Sequence, residues 1–151
     1  MKRFAMASIV GVLMGMLTGC GASHQMPEGR LVSLEYTRSG SRAGTQYEAR
    51  VVTEANGDVV LQAMKENYGL LIEKKLTAEE LAGFVKIIEE EQMYKYKENY
   101  RPLLKVLDGY MWHFSAKFEQ GTIYSEGSNA RPKDDGLERI REYAISLVNG
   151  E

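Results

Sequence analysis

Asp108, His113 and Ser115 fall close together in "LDGYMWHFS" and are the three residue types of a nucleophilic hydrolase triad. Their spacing argues against that chemistry. His113 and Ser115 are two positions apart in an alternating run, so they share one face of a strand. Triad members come from different elements, with the nucleophile on a sharp turn, and the chain contains no G-x-S-x-G. His113 reads instead as a solvated residue on the polar side of an amphipathic strand. A zinc site has too few ligands, since His24 lies in a tether and Cys20 is the only cysteine. No metal and no cofactor are expected.

Asp134-Asp135, in "SNARPKDDGLE", pairs two carboxylates. Glycosidase chemistry needs two carboxyl groups at a set separation, which adjacency does not supply, and a calcium loop needs more acids at regular spacing. A helix N-cap complementing the macrodipole accounts for both. For binding, "MYKYKENYRP" interleaves Tyr94, Tyr96 and Tyr100 with Lys95, Lys97 and Arg101. Tyrosine and arginine dominate interaction hot spots, so Tyr94, Tyr96, Tyr100 and Arg101 form the candidate binding patch. The plainer reading is an edge segment whose tyrosines lie on the sheet rim. The loop "GSNARPKDDG" is second in line.

Cys20 has a different explanation. Met1-Lys2-Arg3 is a basic head, and "FAMASIVGVLMGML" is an uncharged apolar stretch too short to span a bilayer. Leu17-Thr18-Gly19-Cys20 then resembles a lipobox, the cleavage motif of bacterial lipoproteins. The resemblance implies removal of residues 1–19, a diacylglyceryl thioether on Cys20, and further acylation (palmitate in such proteins) of the new amino group. Two or three chains hold a protein stably at a membrane. Gly21 stands where an aspartate marks inner-membrane retention in enterobacterial sorting, which favours the outer membrane over the inner.

Removing 19 of 151 residues leaves 132, enough for one domain over residues 30–151 behind a tether at 20–29. Ten such residues span on the order of 17 Å as a coil, which keeps the domain near its membrane. Taking Lys2 and Arg3 from 19 Lys+Arg against 21 Asp+Glu gives a net charge of about −4, which is no nucleic-acid footprint.

The elements that position these residues follow from periodicity. "LVSLEYT" puts Val32, Leu34 and Tyr36 on one strand face, and "QYEARVVT" does so for Tyr47, Ala49 and Val51, with a Gly-rich loop between. A three-residue Ala55-Asn56-Gly57 loop then pairs Val51 with Leu61 and keeps both apolar sets on one side. Thr77 and Glu80 form a capping box ahead of a helix with Leu81, Phe84, Val85 and Ile88 inward, ending near Glu91. Trp112, Phe114, Ala116 and Phe118 make a further strand, turning at Gln120-Gly121 to pair Phe118 with Ile123. A last helix starts at Asp135, with Glu138 as a second capping-box partner and Leu137, Ile140, Ala144 and Leu147 inside. The expected fold is α+β, an antiparallel sheet with two helices on one face, in the order β-β-β-α-β-β-α.

The body "LDGYMWHFSAKFEQGTIYSEGSNARPK", with its DG-x-x-W, F-x-x-G and G-x-N-A-x-P elements, resembles small uncharacterised lipoproteins of Bacteroidetes-type bacteria. That resemblance implies no site residues. The expectation is a lipid-anchored envelope protein without enzymatic activity whose domain binds a protein or envelope partner. The alternatives are an envelope hydrolase, an inhibitor or immunity factor directed at one, and a structural component of an envelope assembly. A hydrolase calls for a concave polar pocket, a binding module for a flat Tyr/Arg patch.

Overall fold

The structure is a computed structural model that describes residues 25–40, 44–64, 71–104 and 109–150. Its strands are β1 (Glu28–Gly40), β2 (Gly44–Thr53), β3 (Val59–Met64), β4 (Leu71–Lys75), β5 (Asn99–Tyr100) and β6 (Tyr110–Ser128), and its helices α1 (Ala78–Glu90) and α2 (Gly136–Asn149). They build one six-stranded sheet in the order β4-β3-β2-β1-β6-β5. The class is therefore mixed α and β, with two corrections to the expected arrangement. A fourth strand precedes α1, because "LIEKK" adds antiparallel to β3 from Met64–Leu71 to Val60–Lys75. And the sheet is not wholly antiparallel, because β5 runs parallel to β6.

β6 folds back on itself. Asn129 N–H donates to Tyr110 C=O at 2.9 Å, whereas a straight strand would separate those residues by about 60 Å. Buried positions are even up to Phe118 and odd from Ile123, and the switch brackets Gly121, whose φ of +125° suits glycine. The first arm pairs with β1, the second with β5. The parallel pairing arises because the chain, after a single 3₁₀ turn at Met93–Lys95, runs alongside the second arm in the same direction. Ser125 Oγ donates to Lys97 C=O there at 2.6 Å, which satisfies the one buried polar side chain among the described residues.

Val51 pairs with Leu61, and Gly57 adopts φ +88° in the loop that Glu54 closes onto Asp58. Register also slips between Leu31 and Ser33 against β6, so Leu31 enters the core and Val32 is left half-buried. β1 and β2 extend to Gly40 and Gly44, which shortens the expected loop to residues 41–43, outside the described part. In α1 the Thr77–Glu80 capping box forms in both directions, a device that contributes about 1 kcal/mol. Ile87 joins Leu81, Phe84 and Ile88 in the core while Val85 is half-buried, and in α2 Val148 takes the place expected of Leu147. α2 lies against β1 to β4, and α1 packs beside it through Phe84 and Tyr143, with ring centroids 4.8 Å apart.

Candidate functional site

A bulge near the far end of β1 organises the most elaborate cluster of polar side chains. Tyr36 faces Ala49 and Thr37 faces Tyr47, which leaves Glu48 as the extra residue of β2. Glu48 reaches α2, where its carboxylate accepts from Arg141 Nε at 2.9 Å, and it pairs with Arg38 at 3.4 Å. Arg141 Nη1 donates in turn to Glu138 at 2.7 Å. The side chain of Glu48 is only 12 % exposed, so its charge is satisfied by two guanidinium groups rather than by water.

Beside this chain of charges opens a cleft of about 380 Å³. Tyr36, Arg38 and Trp112 come from the sheet, Tyr110 from the start of β6, Arg131 from the loop before α2, and Leu137 and Glu138 from the first turn of α2. Trp112 is held rigidly. Its indole N–H donates to Ala130 C=O at 2.8 Å, and its ring packs on Tyr100 at 5.7 Å. Gly127 makes room for that bond, since a Cβ there would stand 2.4 Å from the indole nitrogen. Asn129, in the left-handed region at φ +54°, closes the loop by accepting from Tyr110 N–H on its side chain at 3.0 Å. Burial pushes the Tyr36 phenol up to about 12, so it stays a neutral hydroxyl at physiological pH. Arg131 is exposed and makes no ion pair among the described residues. The cleft thus offers an aromatic wall, two guanidinium groups and a phenol. Groups of these kinds can hold and orient a ligand; none of them is an activated nucleophile.

The residues singled out from sequence are dispersed. Tyr96 is buried and donates its hydroxyl to Asp134, Tyr94 and Tyr100 are half-buried, and Arg101 is exposed. Tyr100 accepts from Lys97 N–H at 3.2 Å and packs on Tyr96 and Trp112. Tyr94 and Tyr96 line a smaller cleft of about 240 Å³ beside Pro27 and Gly121, at the opposite end of β1 from Arg38. Cys20, His24 and Asp108 lie outside the described residues. His113 Nδ1 stands 3.7 Å from Glu35, and its ring packs on Tyr124. Ser115 shares a shallow recess of about 260 Å³ with His113 and Glu35 and is not hydrogen-bonded to His113. The expected Asp135 cap does not form. Asp135 occupies the cap position without a side-chain bond, while Asp134 Oδ1 accepts from Gly136 N–H at 3.0 Å. Among the described residues no cluster of three or more His, Cys, Asp or Glu is placed to hold a metal.

The loop "GSNARPKDDG" supplies Arg131 to the larger cleft, so the second-ranked sequence candidate is the one that borders it. Arg38 carried no sequence signal, and Glu138 was legible only as a capping-box partner of α2, whereas its side chain accepts from Arg141. The register that sets Arg38 opposite Trp112 depends on the two irregularities of the β1–β6 pairing on either side of Leu31. The chain matches no protein-family model. Nor does it match any curated protein.

Proposed function

We propose that this is a lipid-anchored cell-envelope protein whose domain is a binding module, with the Arg38–Trp112–Arg131 cleft as its binding site. What supports the anchor is the lipobox at Leu17–Cys20. The site is a concave cleft rather than the flat patch expected of a binding module. What supports binding over hydrolysis is its composition, an aromatic wall with arginines and a protonated phenol and no activated nucleophile. The observation that carries the reading is Arg131, a guanidinium on the cleft rim without a carboxylate partner among the described residues.

The direction of β1 supports an outward-facing site. Cys20 to Gln25 is six residues, a reach of at most about 20 Å. β1 begins at Glu28, and its 13 residues carry the chain on the order of 40 Å before Gly40. Arg38 and the cleft stand at that far end. A membrane at Cys20 therefore leaves the cleft turned toward the envelope interior, available to a soluble or wall-borne partner. The outer membrane is the proposed location.

Two measurements test the reading. Cys20→Ser is expected to accumulate an unprocessed precursor without lipid label, and normal processing would overturn the anchor. Mild crosslinking in native membranes, followed by mass spectrometry, is expected to give a dominant partner lost in Arg131→Ala and kept in Tyr94→Ala. The reverse pattern would move the site to the cleft beside Pro27.

A further inference from the structure

Taking the cleft as the binding site, we propose that it recognises a carboxylate attached to a flat apolar group, with Arg131 as the pairing cation and Trp112 and Tyr110 as the wall for the apolar part. Charge counting points to an anion. Glu48 and Glu138 both already accept from Arg141, and Arg38 shares Glu48, so three arginines including Arg131 face two carboxylates. Among the described residues one positive charge is left uncompensated, and it sits on Arg131. A monoanion matches that surplus better than a phosphate dianion, which the Glu138 carboxylate in the wall would repel. The guanidinium fork pairs with a carboxylate through two parallel hydrogen bonds.

Beside these charged groups the lining is aromatic and aliphatic, from Tyr36, Tyr110, Trp112 and Leu137. Leu137 and the largely buried Trp112 stand at the inner wall, and Tyr110 is exposed at the mouth. A volume of about 380 Å³ lies at the small end of ligand pockets, suited to one or two residues of a peptide or to a small organic acid. The Tyr36 hydroxyl, protonated at neutral pH, adds a donor inside the cleft. The carboxylate can belong to the C-terminus of a chain ending in an aromatic residue or to a free arylalkanoic acid; the chemistry recognised is the same.

Trp112 is the chain's only tryptophan, so its fluorescence reports on this cleft alone. The full chain in mild detergent is titrated with N-acetyl-phenylalanine and with N-acetyl-phenylalaninamide. The acid is expected to give a saturable change and the amide none. Arg131→Gln is expected to weaken the acid at least tenfold and Arg131→Lys less, with Glu138→Gln tightening it and Arg30→Gln, at the other end of β1, leaving it unchanged. Equal responses to acid and amide, no response to either, or an unaffected Arg131→Gln would each overturn the proposal. A short peptide ending in phenylalanine binding more tightly than 3-phenylpropionate assigns the peptide source, and equal binding assigns the free acid. A photo-crosslinker at Tyr110 in intact envelopes separates the two levels of inference. Arg131-dependent capture of one partner without carboxylate binding overturns the ligand class and leaves the binding module standing; failure of both overturns both.

Discussion

The hydroxyl of Tyr96 donates to Asp134 Oδ1, tying together residues 38 positions apart. The same oxygen accepts from Gly136 N–H at 3.0 Å, so one carboxylate caps the start of α2 and anchors the segment after α1. Burial and the Asp134 carboxylate push the Tyr96 phenol far above its ordinary range, which keeps it a donor. Tyr96→Phe keeps the ring and removes the donor. It is expected to cost about 1–3 kcal/mol, the usual magnitude for a hydrogen bond to a charged group. Urea denaturation measures it, and an unchanged midpoint would show that Gly136 N–H alone satisfies Asp134.

Gly136 tests the same junction by size. A Cβ there would come within 2.5 Å of the Tyr96 hydroxyl and 3.0 Å of Met93 Cγ. Gly→Ala inside a helix ordinarily gains up to about 1 kcal/mol. Gly136→Ala is expected to lose stability instead, while Gly150→Ala, whose nearest neighbour is Ser146 C=O at 3.5 Å, is tolerated. Thermal melts of the two variants give the comparison, and a stabilised Gly136→Ala would refute the close contact.

Tyr36 makes stability sensitive to alkali. Its phenol is raised from 10.0 to about 12 in the folded protein, so the folded state holds a proton that the unfolded chain releases first. That contribution is complete below pH 10 and is lost as pH rises through 12, at up to about 1.4 kcal/mol per pH unit. Tyr96, Tyr124 and Tyr143 are shifted in the same direction. Tyr36→Phe is therefore expected to flatten, not abolish, the decline of the denaturation midpoint between pH 10 and 12.

Glu48→Gln removes the carboxylate that Arg38 and Arg141 share. A loss of about 1–3 kcal/mol is expected, because two partly buried guanidinium groups lose an ionic partner. The cleft also gains one unit of positive charge, so an anionic probe followed by Trp112 fluorescence should bind more tightly. Weaker binding would mean that Glu48 positions Arg38 rather than neutralising it.

Local patterns were readable wherever one device sufficed. The Asn56-Gly57 loop length fixed the Val51–Leu61 register, and Thr77 with Glu80 marked the start of α1. Features that depend on a partner were not. Three of the five residues of β4 are charged and it gains its strand character from β3, and β5 is two residues long. The bulges at Leu31–Ser33 and Tyr36–Thr37 move Leu31 and Glu48 to positions that strict alternation denies them. The tyrosine run drew notice for its composition, yet the buried Tyr96 spends its hydroxyl on Asp134, far along the chain. The cleft is assembled from four separate stretches, Tyr36–Arg38, Tyr110–Trp112, Arg131 and Leu137–Glu138, which no short motif spans.

β1 also has a mechanical consequence. It is an inner strand, laddered to β2 on one side from Leu34 to Gly40 and to β6 on the other from Glu28 to Gly40. On the proposed anchoring at Cys20 and the proposed binding at the cleft near its far end, tension between membrane and partner would run along the strand axis. Ladder hydrogen bonds lie perpendicular to that axis, so both rows are strained together in shear rather than unzipped singly. Pulled at those two points, the domain should yield abruptly and at high force; pulled apart from β4, at the sheet edge, it should peel gradually.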